Sequence, residues 1–142
     1  MALRPLPKPQ RSSAPIGMPV KVVDASALAA LLFGEPEAEA VAARLERSNL
    51  FAPALLGFEI ASVCLKKLRR DPQQREALMA AFALYTRMPI EIVEINHADT
   101  LGLAQTFGLS SYDAAYLWLA DKLSAELVTL DKPLQLAAAM RH

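Results

Sequence analysis

Three short runs rich in β-branched residues, VKVVD at 20–24, IEIVEI at 90–95 and ELVTLD at 126–131, are separated by long stretches with helical spacing. Strands that alternate with helices need crossover connections, and a mainly parallel sheet covered by helices on both faces satisfies them. The expected fold is α/β, a three-layer α/β/α sandwich. In such sheets ligands collect beyond the carboxyl ends of the strands, so the residues that follow each run are the first to consider.

The helical segments carry their own start and stop signals. SALAALLFG offers Ser26 as a cap and Gly34 as a close, and Pro36 opens a second helix through about Ser48 with Arg44 and Arg47 near its end. Pro53 starts a long helix to about Arg70, and Asp71 with Pro72 begins the next. NHADTLGLAQTFG closes at Gly108, the following helix is capped near Ser110 or Ser111, and KPLQLAAAM forms the last.

Residues 1–19 differ from the rest. They hold five of the ten prolines, together with Arg4, Lys8 and Arg11 and no acid. The segment lacks the apolar run of a secretory signal and is expected to be a disordered basic leader, or a mis-assigned start with Met18 as an alternative beginning. Residues 20–142 then form one domain with a single core.

Apolar residues make up 54% of the chain, yet no stretch approaches the roughly 18 uninterrupted apolar residues of a membrane span. The excess implies either a large core or an apolar patch that awaits a partner. Fifteen basic residues balance fifteen acidic ones, so overall charge announces no nucleic-acid binder and such a role must come from a local site. A single cysteine, Cys64, excludes an intramolecular disulfide and a cysteine-rich zinc site, and a cytoplasmic setting follows as the default.

Four acids stand out. Asp24 and Asp131 each end a β run, which places both on one rim of the sheet, although a turn residue or helix cap explains either one alone. Glu59 has Leu55, Leu56, Ser62 and Val63 as its helical neighbours, so its carboxylate lies on a mostly apolar stripe. A buried carboxylate there needs a cation, a proton or a partner, and a salt bridge to Lys66 or Lys67 is the ordinary answer. Asp113 occupies the first turn of its helix, where the dipole favours negative charge, with Tyr116 and Leu117 on the same side.

Brought into one cleft, these four would repel one another and raise one another's pKa, a conflict that a divalent cation resolves. Mg²⁺ or Mn²⁺ suits an all-oxygen site and leaves positions for phosphate oxygens, which points to in-line phosphodiester hydrolysis. With only His97 and His142, no serine or cysteine triad can be assembled. Ser26, Ser111 and Thr129, each two residues from an acid, are placed to orient carboxylates or to serve as caps and strand residues. Lys66, Lys67, Arg69 and Arg70 could steer a phosphate backbone, or simply complement a helix C-terminus.

VVDASAL with Asp24 and Ser26, LLGFEIASVCLKK with Glu59, LSSYDAAYLWLA with Asp113 and LVTLDKPL with Asp131 resemble, in order and spacing, the PIN domains, particularly the VapC-type toxins of toxin and antitoxin pairs. The resemblance spans roughly residues 20–140. It implies a PIN-like α/β/α sandwich, Mg²⁺- or Mn²⁺-dependent endoribonuclease activity against RNA needed for translation, a homodimer, and inhibition by a cognate antitoxin in the cleft. It puts the metal on Asp24, Glu59, Asp113 and Asp131, with Ser26 or Thr129 as helper. Family members continue past the last helix into a final short strand, so a fifth strand is expected to be short or missing in this chain.

Two other readings compete. A phosphatase with Asp24 as covalent nucleophile, in the haloacid-dehalogenase manner, expects a second acid where Ser26 stands. A non-catalytic PIN-like interaction module would use its apolar surface for association and its acids for salt bridges.

Overall fold

The computed structural model describes residues 17–141, which leaves most of the expected leader and His142 outside the described residues. The elements run β1 (Val20–Val23), α1 (Ala25–Leu32), α2 (Ala38–Leu45), β2 (Asn49–Pro53), α3 (Leu55–Arg70), α4 (Arg75–Arg87), β3 (Ile90–Val93), α5 (His97–Phe107), α6 (Ser111–Leu123), β4 (Glu126–Val128) and α7 (Lys132–Met140). Every strand pairing is parallel and the order is β3-β2-β1-β4, with Val22 opposite Phe51 and Val23 opposite Val128. This is the expected α/β architecture. Among the described residues no fifth strand follows α7, and no helix is long and apolar enough to cross a membrane.

Several elements differ from expectation. β2 was not foreseen, because NLFAP carries a proline, which normally argues against a strand paired on both sides. Pro53 stands at the last position of β2, opposite Val93, where the strand leaves the sheet. The helix expected from Pro53 therefore begins at Leu55, and the one expected from Pro36 to Ser48 narrows to Ala38–Leu45. ELVTLD pairs only through Val128, so Asp131 lies beyond the strand and caps α7. Ser26 does not cap α1; Asp24 does, its side chain accepting from the Ala27 amide. Asp71 and Pro72 open a short 3₁₀ turn, Pro72–Gln74, ahead of α4.

Val22, Val23, Leu28, Leu56, Ile60, Leu119, Val128 and Leu134 are fully buried and fasten the helices to the sheet. In α6 every residue from Ala114 to Ala120 is buried, as befits a helix apolar on all sides. It packs against β1, β2 and β4 and so carries Asp113, in its first turn, to the rim where the strands end. Cys64 is buried too, its Sγ 3.8 Å from the Leu78 carbonyl.

Candidate active site

β1 and β4 lie side by side, and the residues just past their ends are locked together. The Asp24 amide donates to the Val128 carbonyl at 3.1 Å, extending the ladder one step beyond the strands. Asp24, only 3% exposed, accepts three hydrogen bonds: from Ser26 Oγ at 2.7 Å and the Ala27 amide at 3.0 Å on Oδ1, and from Thr129 Oγ1 at 2.5 Å on Oδ2. Thr129 Oγ1 in turn accepts from the Asp131 amide at 3.0 Å, and Ser26 Oγ accepts from the Leu130 amide at 2.9 Å. Two hydroxyls thus tie the start of α1 to the approach to α7. Gln135 Nε2 adds a bond to the Thr129 carbonyl at 2.8 Å.

Asp131 accepts from the Leu134 amide at 3.0 Å as the cap of α7. The Asp113 amide donates to Ser110 Oγ at 3.1 Å, and Glu59 Oε1 accepts from the Tyr116 hydroxyl at 2.6 Å. Asp24, Asp113 and Asp131 all sit at helix N-termini, where the backbone dipoles favour negative charge.

That stabilisation is incomplete. Burial pushes the Asp24 carboxyl above its ordinary pKa despite its three donors, with a further rise from Asp131. Burial raises Glu59 likewise, and Asp24 and Asp113 add to the rise. Asp113 is raised by desolvation and then by Asp131 and Asp24. The four acids named from sequence therefore share one electrostatic neighbourhood, and among the described residues none of them is in an ion pair.

The donor set is all oxygen, anionic and without a cationic side chain, which is the chemistry a hard divalent ion requires. Among the described residues no three such side chains close to ligating distance. By the chemistry of their donors the residues fit Mg²⁺ or Mn²⁺.

Other expectations are revised. Glu59 takes Tyr116 rather than Lys66 or Lys67 as its partner; Lys67 Nζ pairs with Glu35 at 2.5 Å, and Arg70 with Asp71 at 3.0 Å. Helical rise puts Lys66 to Arg70 about 10 to 16 Å along α3 from Glu59, toward the end away from the rim. The hydroxyl that meets Asp113 belongs to Ser110; Ser111 is exposed and lines a neighbouring cavity of about 420 Å³ with Leu55, Val93, Leu101 and Tyr112. Tyr116 was noted in the sequence only as a neighbour of Asp113. Its position three residues on, one turn along the same face, was the available signal.

Comparison with known proteins identifies the family and the fold. The sequence matches the PIN domain over residues 21–139. It is 32% identical over 118 residues to Ribonuclease VapC3 of Pyrobaculum aerophilum, covering 80% of this chain and 90% of that protein. Two crystal structures share the fold: PAE2754 of Pyrobaculum aerophilum, with TM-score 0.61 and 23% identity over 84% of this chain and 86% of that one, and VapC20 of Mycobacterium tuberculosis, described as a Sarcin-Ricin loop cleaving toxin. The second has TM-score 0.58 and 18% identity over 82% of this chain and 94% of that one.

Proposed function

The chain belongs to the PIN-domain family, and from that premise we propose that it is an endoribonuclease of the VapC type, an RNA-cleaving toxin held in check by a cognate antitoxin. The observation that carries the proposal is the meeting of Asp24, Glu59, Asp113 and Asp131 in one neighbourhood where burial and mutual repulsion raise three of them. An uncompensated cleft of this charge repels a phosphodiester. Mg²⁺ or Mn²⁺ held by these four carboxylates would offset their negative charge and would supply Lewis acidity toward a phosphate oxygen.

The protein's own contribution is positioning. Ser26 and Thr129 each donate to one oxygen of Asp24, and the Thr129 hydroxyl that also accepts the Asp131 amide links the two acids, while Ser110 sets the first turn that presents Asp113. Contacts to RNA away from the cut fall to exposed cations on the flank of α3 such as Lys66 and Arg70.

The nuclease unit takes residues 20–142, acts in the cytoplasm where RNA and antitoxin are found, and works as a homodimer. Phe58 is 82% exposed and Leu65, two turns along the same face of α3, 44% exposed, an apolar stripe that a second copy would cover.

The test is cleavage of structured and unstructured RNA by protein freed of any co-purifying partner, with Mg²⁺ or Mn²⁺. Cleavage is expected in wild type, stopped by EDTA and absent from folded Asp24→Asn and Asp113→Asn variants. Failure to cut RNA together with failure to bind either metal at millimolar concentration would replace this reading with a non-catalytic interaction module.

A further inference from the structure

We propose that Tyr116 is a positioning residue that sets the divalent-ion affinity of the site through Glu59, an inference that rests on the metal-dependent reading above. Tyr116 is 1% exposed in α6, and its hydroxyl reaches Glu59 Oε1 at 2.6 Å, joining α6 to α3. Glu59 is the acid of the four that is neither past a strand end nor at a helix N-terminus; it sits in the second turn of α3, with no backbone amide to fix it. Its carboxylate faces repulsion from Asp24 and Asp113. A glutamate side chain has three rotatable bonds, so without a restraint that repulsion swings it away from the other acids. The phenol supplies the restraint.

A hydroxyl whose ring is packed on all sides cannot follow the carboxylate outward, so the bond defines one Glu59 rotamer. It occupies Oε1 and leaves Oε2 unengaged by that contact. Outer partners of this kind orient ligands, and removing one typically lowers metal affinity about 10- to 100-fold.

The experiment is a double-mutant cycle on Mn²⁺ affinity, measured by calorimetry on full-length protein without RNA, with Tyr116→Phe, Glu59→Gln and the pair. Thr100→Val, which deletes a buried hydroxyl on α5 that donates to the Asn96 carbonyl, serves as the packing control. The expected result is Mn²⁺ binding about tenfold or more weaker in Tyr116→Phe. In the Glu59→Gln background the same change is expected to alter binding less than about twofold, and Thr100→Val to leave it near wild type. Equal effects of Tyr116→Phe in both backgrounds, or none in either, overturn the positioning role while leaving the metal site intact. A wild type that binds no Mn²⁺ overturns both this inference and the reading beneath it.

Discussion

Replacing Thr129 by valine keeps nearly the same volume and removes one hydroxyl from the centre of the site. That hydroxyl donates to buried Asp24 at 2.5 Å, accepts the Asp131 amide at 3.0 Å and stands 3.3 Å from Ser26 Oγ. A hydrogen bond to a charged group is worth about 1.5–3 kcal/mol, and the Asp131 amide loses its acceptor as well, so the folded state should weaken by about 2–4 kcal/mol. For a domain of this length the unfolding entropy near the midpoint is about 0.3 kcal/mol/K, which converts to a fall in Tm of about 7–13 °C. Thr129→Ser retains the hydroxyl and loses one methyl group, about 1 kcal/mol, or 3–4 °C. Thermal unfolding followed by circular dichroism at pH 7.5 in EDTA separates the two. If valine costs no more than serine, the hydroxyl contributes nothing to stability and Asp24 is held in place by other means.

Three further outcomes follow from the same geometry. Asp24→Asn should melt no lower than wild type in EDTA while losing any rise in Tm with Mn²⁺. Its Oδ1 keeps the Ser26 and Ala27 donors, and its Nδ2 can donate to Thr129 once that hydroxyl turns toward Ser26; a drop beyond about 3 °C would contradict this. Because Asp24, Glu59 and Asp113 have raised folded-state pKa values, the folded protein binds more protons than the unfolded chain just above the ordinary carboxylate range. Metal-free stability should therefore fall as pH rises through that window toward neutrality, and below it the lowered Glu35 and Glu126 lose their contributions. Urea midpoints from pH 4 to 8 in EDTA, then in Mn²⁺, test this; metal should flatten the neutral side, and a metal-free midpoint that climbs steadily to pH 8 would refute it. Phe58→Glu should halve the solution mass seen by light scattering, whereas an already monomeric wild type would dispose of the α3 dimer.

What could be read from the chain was what depends on local chemistry. AAYLWLA declares a helix buried all round, Gly108 at φ 64° closes α5 where a left-handed residue is needed, and acids beyond apolar runs mark the rim. What escaped was set by neighbours distant in sequence. β2 becomes a strand because β1 and β3 pair with it from both sides, overriding its composition. Sequence did not fix the partner of Glu59, since a lysine about two turns along α3 and a tyrosine 57 residues away are equally admissible until α6 is docked. Lys67 likewise was drawn away by Glu35, 32 residues earlier.

The bond from Thr129 to Asp24 spans 105 residues, and that from the Leu130 amide to Ser26 spans 104. Contacts of such separation form late, because the intervening loop must close before they give any return, and parallel pairing makes β1 wait for β4. Chains emerge from synthesis amino end first. β1, β2 and β3 can therefore assemble while β4 is still to be made, leaving Asp24 without Thr129 and the cluster without Asp131. A growing polypeptide at that stage lacks two members of the proposed site, and the site is complete only once the last strand among the described residues docks against the first.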